Sequence, residues 1–249
     1  MESEFLNSRE LRIFRHQIDL PSVGLQGQEK IKKSKVLIVG AGGKGAFALQ
    51  NLAAAGIGSI GICDNQIVEE TTLPRQSLYG HGDLGKQKAI LSRQKIQENN
   101  PIAHVDVHNI FLSENNSIPI LSKYDLIADA TNSHEAHAII DKAAQEAKKP
   151  VVFCEIQNAV VFISVFHFAG EHSYRMLSDA ALRRHNPAPV SSPVPAEVIQ
   201  YSLAGSLIAN EVLKIVLGIP GILQGRVLQF DVASFQMIIC DLQGNVIRS

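Results

Sequence analysis

The 249-residue chain is short of cysteine, of net charge and of unbroken apolar runs, and each shortage narrows what it can do. Its three cysteines, Cys63, Cys154 and Cys240, are an odd number, lie far apart, and each sits inside an apolar run. They read as small core residues of a reduced compartment. Lys and Arg number 23 against 24 for Asp and Glu, so no positive field gathers phosphate backbones, which argues against a nucleic-acid partner. The most apolar long segment, residues 198–217, is interrupted by Gln200, Asn210, Glu211 and Lys214, which argues against a membrane span. The first residues, with Glu2, Glu4, Arg9 and Arg12, lack the basic-then-apolar order of a secretory signal. A soluble cytoplasmic protein is expected, long enough to bury the core of one domain.

What is present is an alternation of apolar strands and helical patterns. Residues 5–18 form an amphipathic stretch stopped by Leu20-Pro21, and a linker through Gly24 and Gly27 leads to a short helix over 28–33. Lys35-Val36-Leu37-Ile38-Val39 has the β-branched, apolar character of a strand buried on both faces. A glycine-rich turn follows, then a helix over 47–55 closed by Gly56, then a strand over 57–64. Further helices are expected over 86–99 and 135–147, and strands over 104–111, 125–129 and 151–156. This order predicts an α/β, Rossmann-like, doubly wound and mostly parallel sheet. Beyond residue 160 the strands at 160–168, 226–231 and 235–242 read as antiparallel, with one long buried helix between them. The proline- and serine-bearing stretch 186–195 reads as a mobile loop. The chain thus divides into a helical arm (1–34), a nucleotide-binding βαβ core (35–156) and a C-terminal part for dimer or partner contact (157–249).

Gly40-Ala41-Gly42-Gly43-Lys44-Gly45 matches G-x-G-x-x-G with a strand before it and a helix after it. Gly40, Gly42 and Gly43 permit a tight turn and close approach of backbone to phosphate, while the helix start supplies free N–H groups. Asp64, at the end of the second strand, stands where a carboxylate holds ribose hydroxyls. The turn alone does not choose the nucleotide, because dinucleotide dehydrogenases use the same device.

A wider resemblance chooses it. Arg15-His16 followed by Leu20-Pro21-Ser22-Val23-Gly24-Leu25-Gln26-Gly27-Gln28 resembles the "RH…LPEVGLEGQ" opening of the ThiF/MoeB/HesA family of ubiquitin-activating-enzyme-like proteins, with one extra residue near Gln17. Ala55-Gly56-Ile57-Gly58 with Asp64 is similar to the family's "AGVG…D" strand. Leu73-Pro74-Arg75-Gln76 resembles "LxRQ", Gly85-Lys86-Gln87-Lys88-Ala89 resembles "GxxKA", and the segment Asp125 to Asn132 resembles "DLVLDCTDN". The resemblance implies adenylation: ATP and the C-terminal carboxylate of a small ubiquitin-like protein, often ending in Gly-Gly, give an acyl-adenylate and pyrophosphate. It implies contact of Arg75 and Lys88 with the triphosphate, of Asp64 with the ribose, and an Arg15 that reaches into the partner's site of a homodimer. Taken singly, Arg75 and Lys88 are more often solvated surface charges, and their spacing from the glycine turn reverses that; for Arg15 both readings stay open. Gln76 either positions its loop or caps a turn, and both readings stay open.

Departures from the family pattern bear on activity. The family acid that helps hold Mg²⁺ falls on Asn132, a neutral amide, and the asparagine before "LxRQ" falls on Thr72, so a weakened metal site is expected. Asp129 either compensates or acts as a structural cap. Most members bind zinc through two C-x-x-C pairs; here the first pair's place is Ser173-Tyr174-Arg175-Met176 and the sequence has no C-x-x-C, so no zinc is expected. His167, His172 and His185 are irregularly spaced and read as scattered histidines. Ser191 and Ser192 stand in the loop where thioester-forming members carry a cysteine, with no activating base in view. The leading reading is an ATP-dependent adenylating enzyme acting on a protein or peptide C-terminus; the others are a non-catalytic partner subunit, a relative of tRNA-base dehydratases, and an NAD-dependent dehydrogenase, in which Arg75, Gln76 and Lys88 have no role.

Overall fold

The chain opens on three helices, α1 (Ser8–Ile13), α2 (Arg15–Ile18) and α3 (Gly24–Lys33), in a computed structural model that describes residues 3–170, 172–182 and 197–248. The loop at 186–195, with Ser191 and Ser192, and His185 lie outside the described residues. The helical stretch expected over 5–18 is divided at Phe14, which leaves the helical region at φ −94°, ψ 12°. The turn there lets Leu6, Phe14 and Ile18 bury together. Asn7 starts α1 with a reciprocal cap: its Oδ1 accepts from Arg9 N and Glu10 N, and Glu10 Oε2 accepts from Asn7 N. The expected linker at Gly24 and Gly27 is helical instead, and the missing Cβ on Gly27, which would come within 2.9 Å of Leu217, lets α3 approach the last helix.

The core follows as β1 (Lys35–Val39), α4 (Gly43–Ala55), β2 (Ser59–Cys63), α5 (Lys88–Asn99), β3 (His104–His108), α6 (Ser117–Leu121), β4 (Leu126–Asp129), α7 (His134–Ala147) and β5 (Val151–Gln157). Then come β6 (Val160–Phe166), the long helix α8 (Glu197–Leu217), β7 (Arg226–Asp231), β8 (Met237–Asp241) and β9 (Val246–Arg248). Gly56, in the left-handed region at φ 90°, ends α4 as expected. The strand read over 104–111 stops at His108, and residues 110–112 leave the sheet to wall a cavity. Helix α6 escaped the sequence reading because it is one turn long and carries Pro119.

One sheet runs β3-β2-β1-β4-β5-β6-β7-β8-β9. The pairings from β3 to β5 are parallel, and those from β5 outward are antiparallel. This is the expected doubly wound sheet with an antiparallel extension. Alternation along β1 feeds both faces: Val36 and Ile38 pack with α4 and α8, Leu37 and Val39 with α6 and α7. Each such side chain, removed wholly from water, contributes roughly 1.5–3 kcal/mol. Among the described residues no helix is long and apolar enough to cross a membrane.

Candidate functional site

The strand order reverses between β1 and β4, since the chain leaves β1 toward β2 and β3 and returns on β1's other side. Helices cannot cover both directions at that point, and a crevice opens beyond the carboxyl ends of the two strands. Gly40 turns the chain there at φ 94°, and a Cβ on it would lie 2.8 Å from Ala130 O. Gly45, one turn into α4, packs more tightly still: its Cβ would lie 1.9 Å from Gly40 O. Helix α4 begins after Gly42 without a side-chain cap, so its first N–H groups keep their capacity for an anion.

Asp64 holds this turn from the next strand. One carboxylate oxygen accepts from Ala41 N at 2.7 Å and the other from Gln66 N at 2.7 Å. The carboxylate still has unused lone pairs, and it lines the crevice.

Two cavities meet at the turn and share Gly42, Asn65, Gln66 and Asn132. The first, ≈ 320 Å³, adds Gly40, Asp64 and the mostly apolar wall of Cys63, Ile110, Phe111 and Leu112. The second, ≈ 520 Å³, adds Gly43, Thr72, Gln76 and Tyr201 and sets two cations, Arg75 and Lys88, against one carboxylate, Glu69. An apolar cleft opening into a cationic one matches a base with phosphates attached.

The side chains of the cationic cavity are held as follows. Lys88 is buried and donates to Gln66 Oε1 at 2.9 Å. Its desolvation lowers the ammonium pKa and the Arg75 charge lowers it further, against Asp64 and Glu69, which raise it. Arg75 ends a short 3-10 turn, Glu70–Arg75, and its Nη1 reaches Glu197 Oε2 and Thr71 O, each at 3.3 Å. Gln76 is buried against Gly42, and its Oε1 has no hydrogen-bond partner. Thr72 lines the cavity but donates its hydroxyl to Glu69 O at 2.7 Å.

Asp129 lines neither cavity. It is 1% exposed, and its carboxylate accepts from Thr131 N at 3.0 Å, Thr131 Oγ1 at 2.8 Å and His137 Nδ1 at 2.7 Å. Burial pushes its pKa up, yet His137, the Thr131 amide and the Lys44 charge together bring it below the ordinary carboxylate value. Of the two roles open to it, the contacts match the cap: it anchors the loop that presents Asn132. Arg15 is 76% exposed, 4.0 Å from Asp19 and outside both cavities.

Four contributors escaped the sequence reading. Lys44, inside the glycine motif, is 1% exposed and donates to Cys154 O, tying α4 to β5. Gln66, Tyr201 and Glu197 are ordinary residues in sequence; only Lys44 carried a signal, a charge in an otherwise small-residue turn.

The site suits phosphate better than metal. Arg75, Lys88 and the uncapped helix start converge on one cavity, whereas Asp64 lines only the other one, Asp129 faces inward and Asn132 is neutral. Among the described residues no group of three or more His, Cys, Asp or Glu side chains is placed to hold a metal.

Comparison with known proteins agrees with this architecture. The probable molybdopterin-synthase adenylyltransferase of Porphyra purpurea is 37% identical over 220 residues, 88% of this chain but only 57% of that protein's length. The sulfur carrier protein adenylyltransferase of Thermus thermophilus is 36% identical over 235 residues, 92% of this chain and 87% of its own. Among solved structures, PaaA superposes with a TM-score of 0.79 at 21% identity, covering 97% of this chain and 76% of PaaA. E. coli MccB with ATP gives a TM-score of 0.75 at 19% identity, covering 97% and 74%. These two share the fold. A match to the ThiF family runs from residue 14 to residue 245, across the glycine turn, both cavities and the antiparallel extension, and the chain belongs to that family.

Proposed function

We propose that this protein is an adenylyltransferase that joins the C-terminal carboxylate of a small ubiquitin-like protein to AMP, releasing pyrophosphate. The observation that carries the reading is the paired cavity: an apolar cleft beside Asp64 runs into a cleft holding Arg75, Lys88 and the start of α4. Relatives named for adenylating a sulfur carrier protein and as a molybdopterin-synthase adenylyltransferase support it. In the reaction an acceptor carboxylate oxygen attacks the α-phosphorus and the bond to pyrophosphate breaks. Charge accumulates on phosphate oxygens, and fixed cations and N–H groups lower its energy without reorganising. Arg75 and Lys88 supply the cations, Gly42 and Gly43 the close backbone, and Asp64 the ribose contact. Mg²⁺, when bound, neutralises phosphate charge, and Asn132 can offer it one neutral oxygen.

The acceptor in this reading ends in Gly-Gly, and the enzyme works in the cytoplasm as a homodimer in which Arg15 of the exposed arm enters the other protomer's site. Sedimentation as a monomer at micromolar concentration would remove that role from Arg15. The second reading, a non-catalytic partner subunit, is favoured by Asn132 and by the Thr72 hydroxyl being spent on Glu69 O. ATP–pyrophosphate exchange with a Gly-Gly-ended carrier protein separates the two. Exchange is expected from the wild type, and Asn132→Asp is expected to raise it at limiting Mg²⁺. No exchange from either form favours the partner subunit.

A further inference from the structure

Arg75 is placed as a phosphate ligand, yet it is engaged by a carboxylate. Its Nη1 lies 3.3 Å from Oε2 of Glu197, a residue 122 positions later that opens α8. Glu197 is not part of the cavity wall, and its side chain is 63% exposed, against 31% for Arg75. One helical turn on, Tyr201 faces the same cavity, with its ring 2.6 Å from where a Cβ on Gly43 would be. The first turns of α8 therefore touch both the guanidinium and the phosphate turn.

Resting on the adenylation reading of this site, we propose that Glu197 competes with the triphosphate for Arg75, so that nucleotide binding breaks this contact with the start of α8. Charge and exposure decide the competition. An exposed ion pair is worth little, because water screens both groups and ordering two long side chains costs entropy. A polyphosphate offers Arg75 several oxygens in bidentate geometry, with Lys88 and the start of α4 already beside it. The nucleotide therefore displaces Glu197. By reciprocity, whatever draws Glu197 away from Arg75 tightens the nucleotide, which links this end of α8 to the loading of the site.

The test is a double-mutant cycle read by calorimetric ATP affinity at fixed ionic strength, on the full chain, with wild type, Glu197→Gln, Arg75→Ala and the double variant. Glu197→Gln is expected to bind ATP about twofold to fivefold more tightly than wild type, the fold-change equivalent of an exposed pair. In the Arg75→Ala background the same change should have almost no effect. Unchanged or weaker binding by Glu197→Gln overturns the proposal, since Glu197 would then orient Arg75 toward phosphate. Equal tightening in both backgrounds also overturns it, because a general field would then act in place of this pair. If the wild type itself fails to bind ATP, the reading of the site falls first and is distinguished from failure of the Arg75–Glu197 competition.

Discussion

Substituting Gly45 by alanine tests whether the phosphate turn is built by close packing. The new Cβ would lie 1.9 Å from Gly40 O, 2.9 Å from Gly40 C and 3.4 Å from Ala130 Cβ. An ordinary carbon–oxygen contact is about 3.3 Å, so α4 and the turn must part by roughly 1.4 Å. Two effects oppose one another. Alanine is the better helix former by about 1 kcal/mol, while forcing a methyl into a packed contact costs about 1–3 kcal/mol or more. The clash is with the Gly40 backbone, where no side chain can rotate away, so the upper end of that range applies. We expect a net loss of about 1–2 kcal/mol, which for a chain of this length lowers Tm by roughly 2–8 °C. The protein should still fold, because domains have about 5–15 kcal/mol in hand. ATP binding should weaken as well, since the displaced turn carries the N–H groups that meet phosphate. Calorimetric ATP affinity and a thermal melt measure the two effects. Gly42→Ala serves as the folding control, because its Cβ would meet nothing nearer than Gln76 Nε2 at 3.8 Å. A Gly45→Ala protein that melts as the wild type and binds ATP within about twofold of it would refute the reasoning.

Lys88→Ala and Arg75→Ala should each weaken ATP binding, by about tenfold or more for the buried Lys88, while leaving a cooperative melt; unchanged affinity in both would remove the phosphate assignment. A pH effect is expected from Asp83, away from the site. Its carboxylate accepts from Gly80 N at 2.9 Å and meets Lys95 at 3.0 Å and Lys86 at 3.2 Å. The Gly80 N–H, opposed by burial and helped by the two lysines, holds its pKa down to about 2. A depressed carboxylate stabilises the fold above its unfolded pKa of about 3.9 and loses that contribution as pH falls toward the folded value. Asp83→Asn should cost about 1–2 kcal/mol at pH 7 and flatten acid unfolding below about pH 4; an acid transition identical to wild type would contradict this.

The sequence by itself determined the order of the strands and main helices and the glycine turn, because these depend on short-range patterns, whereas Arg75 and Lys88 were singled out only by the family resemblance. A run such as Val36-Leu37-Ile38-Val39 is apolar at every position only if both faces of its strand are covered, and Gly40 must be glycine because the turn needs φ 94°. Tertiary structure decided what those residues face. Asp129 and Asn132 are three positions apart, yet one turns inward onto His137 and the other outward into both cavities, a choice made by where β4 ends against α7. Thr72 donates to Glu69 O because a 3-10 turn brings that carbonyl within reach. The small residues around Lys44 make it stand out in the sequence but do not say what its ammonium meets; β5 decides that, by presenting Cys154 O from 110 positions away. Arg75 meets Glu197 across 122 positions for the same reason: the long helix returns over the sheet, and only its packing on α4 brings a carboxylate to the mouth of a phosphate cavity.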